Sequence, residues 1–281
     1  MLDRYARRRY VDVVVRAACV IATLIALIPL ISVLYYVTRR GIGGINLAFF
    51  TELPKPVGES GGGMANAIQG TLKLVFLACV FGIPPGVMAG VYLAEFGESR
   101  FGKWVRFSAD VMSGVPSITV GIFVYALVVL HEKHFSAFAG GVALAVLMLP
   151  TVTRTTEELL KLVPESLREA ALGLGVPQWR ATLRVMLRTA APGIATGVML
   201  AVARVAGETA PLLFTAFSNP FWSSGFDEPT ASLPMNIYNY AVSPYEEWHR
   251  QAWSAALVLL LLVLLLNISA RLLVRNRVGA R

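Results

Sequence analysis

Residues 154–189 read RTTEELLKLVPESLREAALGLGVPQWRATLRVMLRT, a charged stretch between two long apolar ones. Pro164 followed by Glu165 predicts a helix start, because proline suits the first turn and an acid suits the positive end of the helix dipole. Gly175 and Pro177 predict where this helix ends, and a second helix is expected from about Gln178. The segment therefore predicts a helical hairpin. The apolar residues on one face of its first helix are Leu167, Ala170, Ala171 and Leu174.

The composition places this hairpin in a membrane protein. Hydrophobic residues make up 56% of the 281 residues and charged residues 15%, and the mean hydropathy is +0.63. A soluble domain could not bury that much apolar surface. The fold class that we expect is an all-α polytopic membrane protein.

Six apolar windows reach the ~20 residues that a membrane-spanning helix needs. They lie near residues 12–37, 67–94, 108–130, 135–153, 190–217 and 251–274, and residues 1–281 are expected to form a single transmembrane domain. The first window is too long for a cleavable signal peptide and has no small-residue cleavage site, so we expect it to remain as a helix.

Two of these windows contain helix-breaking residues. Pro84-Pro85-Gly86 predicts a kink or break in the second span, and Gly114-Val115-Pro116-Ser117 predicts one near the start of the third. A broken span can expose backbone groups to a cavity, although simple packing irregularity remains an alternative for each.

Lysine and arginine indicate the orientation. They concentrate in residues 4–9, 100–106, 154–188 and 271–281, the last ending at Arg281. The six spans would put all four segments on one side, so the positive-inside rule predicts that both termini are cytoplasmic. The net charge of +8 therefore comes from basic residues in four separate cytoplasmic segments, where they fix the topology and contact anionic lipid. We do not expect nucleic-acid binding.

The segments predicted on the external side contain no residue pattern typical of a catalytic or metal site. The link HEKH, residues 131–134, lacks the i, i+4 histidine spacing of a zinc helix and is interpreted as a solvated turn. The aromatic residues of 218–250 fit either a belt at the lipid headgroups or a docking surface for an external partner.

Enzyme classes find little support in the residues. Residues 61–73 are glycine-rich but have no Gly-Lys-Ser/Thr, so a nucleotide-binding P-loop is not expected. Asp110 is the one plausible intramembrane aspartate, and the histidines lie outside the spans, which disfavours aspartyl and serine hydrolases. A channel or an ion-driven transporter is compatible with the spans alone, but neither needs the hairpin.

Arg204 and Glu208 stand four residues apart inside an otherwise apolar window. An unpaired arginine at mid-bilayer costs roughly 2.5–3.5 kcal/mol on insertion scales, so something must offset that cost. One interpretation is mutual neutralisation, although two apolar residues would serve as well. The other is an anion pathway, in which Arg204 attracts an oxyanion and Glu208 accepts a hydrogen bond from a protonated one. Sulfate, which has no proton, would then be disfavoured.

The hairpin resembles a known family. Glu169-Ala170-Ala171, three residues and then Gly175 match the EAA loop of ABC importer permeases, the helical hairpin that seats in a groove of the ATPase subunit. The family continues with Ile-x-Leu-Pro, whereas this chain has Arg188 in place of the proline, so the second helix is expected to run on without a kink. Without the resemblance, such a hairpin could equally lie on the membrane surface.

Further segments are similar to the phosphate-transporting branch of these permeases: residues 67–75, 89–96, 113–123, 203–219 and 233–241. The resemblance implies a non-enzymatic subunit of an ATP-driven phosphate importer in the inner membrane. Its implied partners are a homologous permease subunit, an ATPase dimer that binds ATP and Mg, and an external phosphate-binding protein. The implied pathway residues are Arg204, Glu208 and Thr209. No catalytic, cofactor-binding or metal-binding residue is expected, and a sulfate or molybdate permease is the alternative.

Overall fold

A computed structural model describes residues 2–56, 59 and 61–279; Arg281 lies outside these residues. The described residues form helices joined by loops. Five helices are long and apolar enough to cross a membrane, or six if one bent pair counts as a span. The all-α polytopic fold expected from the sequence is confirmed.

The long helices are α1 (Leu2–Gly41), α3 (Ala65–Phe96), α6 (Ala137–Lys161), α8 (Gln178–Ala206) and α10 (Glu246–Gly279). The bent pair consists of α4 (Arg100–Gly114) and α5 (Ser117–Glu132). The shorter helices are α2 (Leu47–Thr51), α7 (Glu165–Gly173) and α9 (Leu233–Ala241). We call the end of the bundle that carries α7 the hairpin end, and the opposite end, which carries residues 218–245, the loop end.

Helices α3 and α6 form the centre of the bundle. Glycine recurs every four residues of α3 where the helix faces α6, at Gly82, Gly86 and Gly90. A Cβ on Gly86 would lie 2.9 Å from the Cβ of Val152, and one on Gly90 would lie 2.5 Å from the Cβ of Thr156. The absence of side chains lets the two backbones approach closely, as membrane helix pairs often do.

Of the kink or break predicted at Pro84-Pro85-Gly86, the break is absent, because α3 is one continuous helix from Ala65 to Phe96. Both prolines are exposed, whereas Gly86 is buried against α6. The proline rings therefore lie away from the interface between α3 and α6.

The break expected in the third span is present. Val115 and Pro116 are extended, with ψ of 130° and 137°, and α4 and α5 are bent by 108°. The window 108–130 is therefore not one straight helix. Helix α4 instead turns along the hairpin end, where it packs against α6.

The fifth window, 190–217, also has different bounds. Helix α8 starts at Gln178, within the predicted hairpin, and ends at Ala206. It contains a π-helical turn at Thr182–Met186 and runs on past Arg188 to Ala206 without interruption. After Ala206 the chain turns at Gly207 and forms a 3-10 helix at Ala210–Phe214.

The loop end is tied to the start of α3. The side-chain amide of Asn66 donates to the Asn219 carbonyl at 2.7 Å, and the Leu233 amide donates to Thr71 Oγ1 at 2.9 Å. Helix α1 is exposed from residue 7 to residue 36. Its C-terminal end contacts α10, where Ser254 Oγ donates to the Gly41 carbonyl at 2.9 Å.

Candidate functional site

Arg204 and Glu208 lie on either side of the end of α8. Arg204 is in the last helical turn, and Glu208 follows Gly207 outside the helix. Arg204 Nε lies 4.0 Å from Glu208 Oε1, and the two side chains are 64% and 19% exposed. The two residues are thus close, but Arg204 belongs to the helix and Glu208 to the turn that follows it.

The contact between them is weak. A separation of 4.0 Å is longer than a charge-assisted hydrogen bond, which normally measures about 2.7–2.9 Å. The exposed guanidinium of Arg204 consequently retains donors for another anion. The Glu208 side chain is half-buried beside that cation, and a carboxylate can only accept hydrogen bonds.

Thr209 is half-buried at the start of the 3-10 helix. Its carbonyl accepts from the Leu212 amide at 3.1 Å, so the backbone of Thr209 forms the turn that follows Glu208. The structure therefore brings Arg204, Glu208 and Thr209 together at a break in an apolar segment, where polar groups can line a cavity.

Helix α5 flanks this break, a contact that the sequence reasoning missed. A Cβ on Gly121 would lie 2.6 Å from Pro211 Cα, so only glycine lets α5 approach the 3-10 helix this closely. The signal available in the sequence is a glycine within an otherwise bulky apolar run, SITVGIFV. Two broken segments consequently meet beside Arg204 and Glu208.

The hairpin has the expected ends. Helix α7 runs from Glu165 to Gly173, and Gly175 adopts the left-handed conformation with φ of 77°. The Val176 amide donates to the Ala171 carbonyl at 3.1 Å, which closes the end of the helix.

The predicted apolar face of α7 is divided between interior and surface. Ala171 is buried, whereas Leu174 is 85% exposed and Leu167 is also exposed. Glu169 and Ala170 are exposed as well. The reason is that α7 packs on α8 through a narrow line of contact, so the rest of its surface points away from the bundle.

An ionic cluster around the buried Glu157 at the hairpin end was not predicted. Glu157 of α6 accepts from Arg106 Nη2 at 2.6 Å, from Arg154 Nη1 at 2.9 Å and from Lys161 Nζ at 2.7 Å. Asp110 lies 3.1 Å from Arg154 Nε. The sequence could have indicated the part of the cluster on α6, because residues 154, 157 and 161 are three and four positions apart and lie on one face of a helix. It could not indicate Arg106 and Asp110 of α4, which are distant in sequence.

The HEKH link forms a tight turn with Lys133 in the left-handed conformation, φ 64°. His134 Nε2 lies 3.7 Å from Asp227 Oδ1. Ligand atoms of Glu132, His134 and Asp227 lie within 4.8 Å of one another. Two of the three residues are exposed, and we assign no metal to them.

The helical bundle, its broken segments and its projecting hairpin define a membrane component of a transport system. Residues 86–278 match the family described as binding-protein-dependent transport system inner membrane component. The chain belongs to this family and, within it, to the PstA permease proteins.

That second assignment follows from curated relatives, which carry the name phosphate transport system permease protein PstA. The protein of Yersinia pestis is 51% identical over 89% of this chain and 85% of its own length. That of Xylella fastidiosa strain Temecula1 is 48% identical over 98% of this chain and 96% of its own length. PstA 1 of Mycobacterium tuberculosis strain CDC 1551 is 38% identical over 95% of this chain and 90% of its own length.

Solved structures share the fold. A chain of the MetNI methionine ABC transporter in an inward-facing conformation aligns with a TM-score of 0.62 at 19% identity, covering 76% of this chain and 95% of the other. A chain of an amino acid ABC transporter crystallised with histidines aligns with a TM-score of 0.55 at 19% identity, covering 75% and 92%.

Proposed function

We propose that this chain is a transmembrane permease subunit of an ATP-driven phosphate importer and forms half of the translocation pathway. The observation that carries this proposal is the identity of 48–51% to PstA proteins over 89–98% of the chain. The chain itself performs no hydrolysis in this scheme. It supplies a path and converts movement of a partner into exposure of that path to one side of the membrane or the other.

The proposed partners are a homologous PstC-like permease subunit, a PstB-like ATPase dimer that binds ATP and Mg, and an external PstS-like phosphate-binding protein. The exposed surface of the hairpin supports the ATPase contact, because Leu174 and Glu169 project from the bundle. An exposed apolar side chain at the tip of a projecting helix is typical of a surface that a partner covers.

The hairpin would then face the cytoplasm, which agrees with the positive-inside rule. The end of α1 contacts the start of α10 at the loop end, through Gly41 and Ser254. Both chain termini would consequently extend toward the hairpin side and be cytoplasmic in the inner membrane.

Arg204, Glu208 and Thr209 are proposed to line the pathway. The guanidinium of Arg204 offers a planar fork of donors that suits an oxyanion. Phosphate near neutral pH keeps a hydroxyl proton, which the carboxylate of Glu208 can accept in a hydrogen bond. The same carboxylate repels a fully deprotonated anion, so the pair attracts phosphate and limits how tightly it is held, as a pathway requires.

Sulfate or molybdate is the alternative substrate, because the EAA loop is shared among oxyanion permeases. The relatives described above are named for phosphate, and Glu208 supplies a chemical reason for that preference. The names of the relatives and this chemical argument both favour phosphate.

The test is uptake of radiolabelled phosphate into vesicles that hold the assembled complex, with and without ATP inside and with sulfate as competitor. The proposal expects ATP-dependent uptake that excess sulfate leaves nearly unchanged. Uptake of sulfate in preference to phosphate would replace it with the alternative.

A further inference from the structure

One carboxylate connects α3 to both helices of the hairpin. Glu95, in the last turn of α3, has a side chain that is 6% exposed. Arg168 of α7 donates from Nη1 to Glu95 Oε2 at 2.9 Å and from Nη2 to Oε1 at 2.5 Å. This is a two-pronged pairing in which each nitrogen meets its own oxygen.

The same carboxylate contacts the second helix. Gln178, the first residue of α8, donates from Nε2 to Glu95 Oε2 at 3.3 Å. We call Glu95, Arg168 and Gln178 the carboxylate clamp. Beside it, an apolar cluster joins α3, α6 and α8 through residues that include Val91, Leu160 and Ile194.

We propose that Glu95 is a positioning residue that makes α3 move together with the hairpin when the ATPase displaces it. This inference rests on the proposed function, because it needs a partner that pushes on α7. A bidentate pair fixes the relative orientation of its two helices as well as their distance, which a single contact does not. Helix α3 packs along α6 through its glycine stripe, so a displacement at Glu95 reaches the centre of the bundle.

Stability alone is a poor reason for the clamp. Desolvation of a buried ion pair cancels much of its Coulomb energy, and apolar residues of similar size often stabilise a protein as well or better. An apolar contact would, however, allow α7 to slide and rotate against α3. The two-pronged geometry therefore fits transmission of motion between two discrete arrangements.

The experiment compares phosphate uptake with ATP hydrolysis in the complete complex, reconstituted in vesicles with its partner permease, ATPase and binding protein. In Glu95→Gln, which keeps the size but loses the charge, we expect phosphate imported per ATP hydrolysed to fall about tenfold, within the roughly 2- to 30-fold range of coupling mutations. The ratio is normalised to assembled complex, so lower expression does not change it.

Two further variants separate transmission from folding. Arg168→Lys keeps the charge but loses the fork, and we expect an intermediate ratio. The exchanged pair Glu95→Arg with Arg168→Glu restores opposite charges, and we expect it to recover part of the ratio. The matched control is Glu98→Gln, because Glu98 is 89% exposed and its ionic contacts are at 3.8 and 3.9 Å; its ratio should equal that of the wild type.

An unchanged ratio of phosphate imported to ATP hydrolysed in both Glu95→Gln and Arg168→Lys would overturn the clamp. This holds even if less complex assembles, because a purely structural role would lower the amount of complex and leave the ratio constant. The proposed function fails on a different observation, namely the absence of ATP-dependent phosphate uptake by the wild-type complex. A wild type that transports and a Glu95→Gln variant with the same ratio would remove only the clamp.

Discussion

Arg106 donates two hydrogen bonds to one oxygen of Glu157, from Nη2 at 2.6 Å and from Nε at 3.1 Å. The contact fastens α4 to α6 at the hairpin end, although 51 residues separate the two side chains. Glu157 is 1% exposed and therefore depends on protein donors. Helix α4 departs from the next helix at a bend of 108°, and this pairing holds it against α6.

We predict that Arg106→Ala destabilises the protein by about 2 kcal/mol, the range of a hydrogen bond to a charged group. Arg154 and Lys161 still neutralise Glu157 in this variant, which keeps the loss below that of an unpaired buried charge. The measurement is the apparent melting temperature of the purified protein in detergent. Arg250→Ala is the control, because its pair with Glu247 is exposed on both sides and should contribute less than about 1 kcal/mol. Equal shifts in the two variants would contradict the prediction.

The glycine stripe yields a second prediction. A Cβ on Gly90 would lie 2.6 Å from the carbonyl oxygen of Thr153 and 2.5 Å from the Cβ of Thr156. Gly90→Ala should lose stability despite about 1 kcal/mol of helix propensity, because its Cβ already overpacks the α3–α6 contact. Gly90→Val adds two methyl groups there and should lose more, at least about 1–3 kcal/mol. Melting temperature checks both. Gly114→Ala is the control, since nothing lies within 4 Å of its added Cβ; a stable Gly90→Val protein would show that α3 and α6 can separate at no cost.

How much the sequence could predict depends on the range of the interactions. The hairpin was predictable, because Pro164 and Gly175 act on their own helix ends through backbone geometry. The end of α8 was not predictable, because the residues on both sides of Gly207 are mostly apolar and a hydropathy average cannot locate a turn between them. The sequence also did not predict that α3 continues through Pro84 and Pro85. The rule that proline interrupts a helix considers only neighbouring residues and leaves out the packing of α3 against α6.

The candidate site shows the same division. Arg204 and Glu208 stand out in the sequence because charges are rare in apolar windows. The contact of Glu95 with Arg168, 73 residues apart, gives no local signal. Gly121 likewise acquires its meaning from Pro211, a neighbour that only the fold brings close.

The exposed hairpin surface yields a prediction about assembly. Leu174 is 85% exposed and follows the last residue of α7. We expect Leu174→Ser to leave the melting temperature of the isolated chain unchanged. We also expect it to weaken co-purification with the ATPase about tenfold, because burial of a leucine side chain at an interface contributes ~1.5 kcal/mol or more. Leu47→Ser is the control, because Leu47 is 80% exposed at the start of α2, away from the hairpin. Full retention of the ATPase by Leu174→Ser would place the contact elsewhere.

Arg204 is expected to matter for transport rather than folding. The loss of its charged donors in Arg204→Ala should lower phosphate uptake by the complex about 10- to 100-fold, whereas Arg204→Lys, a point charge without the fork, should be intermediate. Arg16→Ala is the matched control, since Arg16 is also exposed in a long apolar helix and pairs four residues away with Asp12. Unchanged uptake by Arg204→Ala would refute the pathway assignment.

Glu208 should determine which oxyanion passes. Glu208→Gln keeps the size of the side chain and introduces an amide donor, so a deprotonated oxyanion no longer faces lone pairs alone. We expect sulfate to inhibit phosphate uptake at about tenfold lower concentration in this variant, because one unfavourable charged contact has been removed. Glu208→Asp keeps the acceptor and should retain both partial uptake and the wild-type selectivity. The measurement is the sulfate concentration that halves phosphate uptake. If that concentration is the same for the wild type and Glu208→Gln while Arg204→Ala abolishes uptake, then Arg204 attracts the anion and the discrimination lies in the external binding protein, not at the end of α8.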